Sequence, residues 1–108
     1  MHQNILNEKL DSFLQEIIEL RRHIHSHPEL SGLEHQTAVL VAGFLREIGW
    51  SVTESVGRTG VIAEFGPSHN GFIGLRVDMD ALPIDENTNL SYSSKIDGIM
   101  HACGHDIH

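Results

Sequence analysis

The chain has 108 residues, of which 40% are hydrophobic and 20% are charged, and this size and composition argue for one globular domain rather than several domains or a disordered chain. Its 7 lysines and arginines against 15 aspartates and glutamates give a net charge of −8 with histidine neutral, and the longest basic run is Arg21-Arg22. Because nucleic-acid binding needs clustered cations that neutralise phosphates, we expect no nucleic-acid partner.

Two helices are predicted first along the chain. Apolar residues at spacings of three and four predict a helix from about Asn4 to His25, and Pro28 prevents its continuation. The segment Ser31-Gly32-Leu33-Glu34 fits a capping box, in which the hydroxyl and the carboxylate satisfy the first free amides of a new helix. This second helix is predicted to reach Ile48, where Gly49 provides a left-handed stop.

Extended segments follow the helices. Residues 50–56 alternate apolar and polar side chains, residues 57–60 have turn chemistry, and residues 61–65 resume an extended pattern, so we predict a hairpin. The segment Phe72–Val77 is apolar on both faces except at Arg76 and predicts a mostly buried strand. The last third of the chain is punctuated by glycine and has no clear periodicity.

The chemistry-bearing residues are concentrated at the end of the sequence. Residues 101–108 contain three histidines, a thiol and a carboxylate, which are ligand types that zinc prefers and that manganese or cobalt also accepts. Cys103 and His105 are separated by one glycine, so both side chains are candidates to approach one ion. The alternative is that Cys103 is a small buried apolar side chain and that the histidines cap turns. The spacing alone does not decide between them.

Two further clusters contain candidate residues. Asp78 lies where the predicted strand ends, and it either orients a metal-bound imidazole or caps the turn into Leu82-Pro83. His23, His25 and His27 resemble a metal cluster in composition, but side chains two residues apart on a helix do not share a face. We interpret these three histidines as a polar helix end that favours cationic side chains.

Sequence features also bear on location and redox chemistry. The longest uncharged apolar-rich stretch, residues 36–45, has ten residues, whereas a membrane-spanning helix needs about 20. The N-terminal segment is interrupted by charges and lacks the apolar centre of a signal peptide. We therefore expect a cytoplasmic protein. Cys103 is the single cysteine, so the chain contains no internal disulfide.

Four motifs follow one another along the chain, and they are His23-Ile24-His25-Ser26-His27-Pro28-Glu29-Leu30-Ser31, Gly57-Arg58-Thr59-Gly60-Val61, Leu75-Arg76-Val77-Asp78-Met79-Asp80-Ala81-Leu82-Pro83-Ile84 and Gly98-Ile99-Met100-His101-Ala102-Cys103-Gly104-His105-Asp106-Ile107-His108. In this order they closely resemble the N-terminal portion of the metal-dependent amidohydrolases. This family includes hippurate hydrolases, N-acyl-amino-acid amidohydrolases and plant auxin-conjugate hydrolases, within the aminoacylase and zinc-carboxypeptidase superfamily. The resemblance runs from about Leu20 to the last residue, and it implies an incomplete α/β/α zinc-exopeptidase-like catalytic domain with two N-terminal helices and then a mixed sheet.

The resemblance also implies a chemistry. Cys103 and His105 match the family's metal ligands, and Asp78 matches the aspartate that orients them. In such enzymes two divalent ions, zinc or manganese, polarise an amide carbonyl and activate a water molecule while a glutamate transfers its proton. The implied substrate is an N-acyl amino acid.

Members of this family run to several hundred residues, so we expect residues 1–108 to form only the N-terminal part of a catalytic domain. The general base, the remaining ligands and the dimerisation domain are expected to be absent from it, and the isolated chain is expected to be inactive. An unpaired strand edge and an uncovered apolar face favour a homo-oligomer. The alternative is a non-catalytic metal-binding or association module that retains part of the fold.

Overall fold

A computed structural model describes residues 2–108. In chain order it contains the helices α1 (His2–Ser26) and α2 (His35–Glu47), and the strands β1 (Ser51–Val56) and β2 (Gly60–Glu64). One turn of 3₁₀ helix follows at Gly104–Ile107. Both predicted helices and the predicted hairpin are present, so the predicted class, an incomplete α/β fold that begins with two helices, is confirmed.

The first helix, α1, follows the predicted apolar periodicity. It ends where the Ser26 hydroxyl donates to the His23 carbonyl at 3.0 Å, two residues before Pro28. Between residues 5 and 17 of this helix the apolar side chains are 45–59% exposed, and these are Ile5, Leu6, Leu10, Phe13, Leu14 and Ile17. Within residues 2–108, no helix combines the length and the apolar character needed to cross a membrane.

The second helix, α2, begins differently from the prediction. It starts at His35, and Glu34 makes no side-chain capping bond. Instead, the Glu29 carboxylate accepts the amides of Gln36 at 3.1 Å and Thr37 at 2.6 Å, which places a negative charge at the positive end of the helix. The predicted capping box at residues 31–34 was therefore wrong, because a carboxylate from before the turn takes the free amides.

The C-terminal end of α2 leads directly into the hairpin. Gly49 adopts φ +91°, so its predicted role as a left-handed stop is confirmed. Strands β1 and β2 pair antiparallel with Ser51 opposite Glu64, and the register shifts between Thr53 and Val56. Helix α2 packs against both strands. The buried apolar core of the described residues consists of three alanines, Ala38, Ala42 and Ala81.

The predicted buried strand at Phe72–Val77 is not formed. No strand is assigned to these residues, and the side chains of Ile73 and Leu75 are 101% and 92% exposed. The prediction of burial was wrong because a segment with two apolar faces becomes a strand only between partners, and the sheet of residues 2–108 is the antiparallel pair β1–β2. The predicted third strand, which would have made the sheet mixed, is absent, and the isolated parallel bridge between Leu30 and Ala81 lies outside the predicted segment.

Candidate metal centre

Two isolated bridges bring the chemistry-bearing segments together. The Ala81 amide donates to the Glu29 carbonyl at 2.8 Å, beside the start of α2. Leu82 and Met100 exchange amide-to-carbonyl hydrogen bonds of 2.9 and 3.0 Å, which form an antiparallel bridge. The segment that contains Asp78 therefore runs beside the segment that begins at His101.

Asp78 and His105 lie close together, as their proposed cooperation requires. The His105 Nδ1 atom lies 3.7 Å from one Asp78 carboxylate oxygen, and the other oxygen pairs with Arg76 at 3.0 Å. A separation of 3.7 Å exceeds a hydrogen bond, so the contact is electrostatic. Because the carboxylate faces Nδ1, the other ring nitrogen, Nε2, is on the side of the imidazole available to an ion.

Cys103 is exposed. It has extended backbone geometry, with φ −96° and ψ 146°, immediately before the 3₁₀ turn that contains His105. The alternative in which Cys103 packs as a small buried apolar side chain was therefore wrong. The thiol is open to solvent.

The side chains of this region provide some of the ligands that a divalent-ion site needs. A thiol, an imidazole and a carboxylate behind the imidazole are what zinc sites use. However, residues 2–108 contain no group of three or more histidine, cysteine, aspartate or glutamate side chains placed to hold an ion. The chemistry of Cys103 and His105 thus fits a metal, and the number of donors leaves most coordination positions to other ligands or water.

The histidines at the end of α1 do not converge on an ion. The rings of His23 and His27 stack with centroids 4.4 Å apart, and His27 Nδ1 lies 2.9 Å from both the Ser26 hydroxyl and the His23 carbonyl oxygen. These contacts agree with the interpretation of a polar helix end. His25, between them, faces the protein instead.

His25 belongs to a buried polar cluster, which we call the His25–Glu86–His101 cluster. The His25 Nε2 atom lies 2.8 Å from a Glu86 carboxylate oxygen, and the side chains of His25 and Glu86 are only 7% and 3% exposed. Glu86 also accepts the Ser94 amide at 3.0 Å and the Thr88 hydroxyl. The His101 ring lies next to His25, with centroids 6.3 Å apart. Sequence reasoning did not single out Glu86, because no local pattern links residues 61 positions apart.

Electrostatics in this cluster follow from burial and hydrogen bonding. Burial raises the pKa of the Glu86 carboxyl, but the hydrogen bonds from Thr88, Ser94 and His25 outweigh burial and hold the pKa below its usual value. Burial lowers the pKa of His101, although the nearby Asp106 carboxylate opposes this shift. The cluster therefore favours an ionised Glu86 beside a neutral His101 ring.

Similar proteins were found by sequence and by fold. Residues 74–108 match the model of peptidase family M20/M25/M40. The chain is 50% identical over 107 residues to the hippurate hydrolase of Campylobacter jejuni, which covers 97% of this chain and 27% of that protein. The predicted family resemblance is confirmed. This chain is also 46% identical over 100 residues to the N-acetyl-L-cysteine deacetylase of Bacillus subtilis, and the match covers 92% of this chain and 24% of that protein.

The M20-like fold is shared as well. A crystal structure of a dinuclear metal-binding peptidase of the M20 family from Bacillus subtilis matches with a TM-score of 0.82 and 45% identity, over 91% of this chain and 28% of that chain. The chain spans about a quarter of the length of the curated relatives it matches. The region that matches the M20 model includes Asp78, Cys103 and His105.

Proposed function

We propose that this chain contributes part of a divalent-metal site that hydrolyses the amide bond of N-acyl amino acids. The observation that carries the proposal is the placement of Asp78 against His105, one glycine away from the exposed Cys103. The names of two similar proteins, a hippurate hydrolase and an N-acetyl-L-cysteine deacetylase, support the substrate class. The dinuclear metal-binding M20 peptidase supports the divalent ions.

Each of the three residues has a defined role in this proposal. Cys103, as thiolate, and His105, through Nε2, hold the ion, and Asp78 fixes the orientation of the His105 ring. A bound zinc or manganese ion would polarise the amide carbonyl and lower the pKa of a bound water. No residue of this chain is assigned as the general base. Residues 1–108 thus serve as the N-terminal part of a catalytic domain.

Metal analysis of the purified protein tests this site. Wild-type chain is expected to bind zinc or manganese, and Cys103→Ser is expected to lose more affinity than the roughly tenfold that removal of an orienting partner costs. Asp78→Asn is expected to lose about tenfold, because the ion keeps both ligands but the His105 ring is no longer oriented. His69→Ala is the matched control, since it removes an exposed histidine from a distant loop. Equal metal content in wild type and Cys103→Ser would contradict the proposal.

Self-association is a second role, favoured by the exposed apolar surface. Ile73 and Leu75 are almost fully exposed, and an uncovered apolar segment of extended chain is an association site. We expect a dimer or larger species in sedimentation velocity at micromolar concentration. The double variant Ile73→Ser, Leu75→Ser is expected to shift the chain toward monomer, whereas Ile107→Ser, which changes a single side chain that is 86% exposed, is not. A stable wild-type monomer would refute the association.

A further inference from the structure

The His25–Glu86–His101 cluster contains two buried nitrogen atoms that the contacts above do not explain. His25 and His101 are 6% and 8% exposed. Among the side chains of residues 2–108, His25 Nδ1 and His101 Nε2 are buried without a hydrogen-bond partner. These atoms belong to neighbouring rings, with centroids 6.3 Å apart and planes inclined by 37°.

Buried polar atoms are almost always hydrogen-bonded, to protein or to an ordered water molecule. Two hydrogen bonds through one oxygen atom span roughly 5–6 Å between the outer atoms, and the centroids of the His25 and His101 rings lie 6.3 Å apart. A water molecule can donate to or accept from either nitrogen, so such a bridge does not require one particular tautomer. A metal ion is a poorer fit, since residues 2–108 place no group of three ligand-type side chains there.

We propose that one buried water molecule bridges His25 Nδ1 and His101 Nε2, and that His25, oriented by Glu86, thereby positions the loop that contains Cys103 and His105. His25 is a positioning residue in this proposal. The bridge itself is independent of the proposed function; only the identification of Cys103 and His105 as metal ligands rests on that function.

The contacts of His101 explain how one ring can position the whole loop. His101 directly follows Met100, which the bridge to Leu82 fixes in place. On its other side, His101 Nδ1 lies 3.7 Å from the Asp106 carboxylate. His101 and Asp106 therefore close a loop in which Cys103 and His105 are the intervening ligand-type residues. If the His101 ring turns, its contact with the Asp106 carboxylate is lost, and one of the contacts that hold the two candidate ligands in place is lost with it.

Nuclear magnetic resonance of the metal-free chain, with labelled histidine side chains, tests the bridge directly. A long-lived water molecule is expected to show through-space contacts to both the His25 and the His101 rings. This measurement uses wild-type protein, so it does not depend on whether a variant folds. Absence of a long-lived water contact at either ring overturns the bridge.

A pair of amide substitutions separates the two nitrogens of His25. In His25→Gln the side-chain amide takes the place of Nε2 and keeps a donor for Glu86, but it leaves nothing at the position of Nδ1. In His25→Asn the amide takes the place of Nδ1 and loses the Glu86 contact. We expect His25→Gln to change the His101 Nε2 signal, whereas His23→Gln, at an exposed ring of the same helix end, leaves it unchanged. Unchanged His101 signals in folded His25→Gln overturn the proposal.

Cadmium titration tests whether the bridge positions the ligands, because a cadmium–thiolate bond gives a charge-transfer absorbance. His25→Gln is expected to lower the cadmium affinity about tenfold, the usual effect of removing a group that orients a ligand. His23→Gln is the control and is expected to bind as wild type does. If His25→Gln binds as tightly as wild type, positioning by His25 is overturned. If wild type binds no better than Cys103→Ser, the proposed metal site fails, and the water contacts still decide the bridge.

Discussion

The purified chain, supplied with zinc or manganese, is expected to hydrolyse an N-acyl amino acid no faster than the metal ion alone. The reason is that the chain offers too few metal ligands. In the proposed site Cys103 and His105 supply two ligands, and residues 2–108 provide no group of three side chains able to hold an ion. Water would occupy the other coordination positions, and the ion would exchange readily with solvent.

Proton transfer is the second missing contribution. A positioned general base typically contributes about 10²–10⁴-fold to a hydrolytic rate, and the carboxylate nearest to His105, that of Asp78, faces Nδ1 and is also paired with Arg76. In the proposed site that carboxylate orients the His105 ring and is not assigned to a metal-bound water. Since complete enzymes accelerate reactions by about 10⁶-fold or more, losing the base and most of the ligands removes measurable turnover.

Release of the free amino acid from hippurate and from an N-acetyl amino acid measures this prediction. The blank contains the same metal ion without protein, and Cys103→Ser is the matched protein control. Turnover above the blank that disappears in Cys103→Ser would show that the short chain is catalytic by itself and would contradict the prediction. Turnover that persists in Cys103→Ser would indicate a contaminant or another site.

The parts of the fold that sequence predicted well depend on local chemistry. The apolar periodicity of α1, the left-handed Gly49 and the turn residues of the hairpin act within a few positions, and each element formed where expected. The failures depend on distant partners. The first amides of α2 bind a carboxylate from Glu29 rather than from the predicted box. Residues 72–77 have the composition of a buried strand, and burial depends on neighbours that lie elsewhere.

The candidate site likewise contains features that local sequence predicts and features that depend on distant partners. Cys103 and His105 were singled out because their side-chain chemistry and spacing are visible in one short motif, and the contact of Asp78 with His105 agrees with the role that the resemblance implied. The His25–Glu86–His101 cluster was not predicted. It joins the end of α1 to two loops, and a histidine on a helix end has the same local pattern whether it faces solvent, as His23 does, or a buried carboxylate.

Replacing Glu86 by alanine is expected to destabilise the chain by about 1–3 kcal/mol for each buried hydrogen-bond donor that loses its acceptor. The substitution leaves His25 Nε2, the Ser94 amide and the Thr88 hydroxyl without their shared acceptor. Because small domains are stable by only about 5–15 kcal/mol, a loss of this size approaches complete unfolding. Urea denaturation of wild type and Glu86→Ala measures it.

The matched control is Glu54→Ala. Glu54 pairs with the Arg46 side chain at 2.7 Å, but these side chains are 34% and 48% exposed. An exposed pair contributes about 0–1 kcal/mol, so we expect Glu54→Ala to unfold at nearly the wild-type urea concentration. Equal losses in the two variants would contradict the view that burial makes the His25–Glu86 contact important.

The pH dependence of stability shows whether the charge of the Glu86 side chain or its shape stabilises the fold. The folded-state pKa of Glu86 is lowered from 4.5, so its ionised form stabilises the fold above that pH, and this stabilisation is lost as pH falls through the folded-state pKa. Glu86→Gln keeps the shape without the charge. Its destabilisation relative to wild type is therefore expected to be largest near neutral pH and to shrink in acid. A difference between wild type and Glu86→Gln that stays constant from neutral pH into acid would show that packing, not ionisation, makes this residue important.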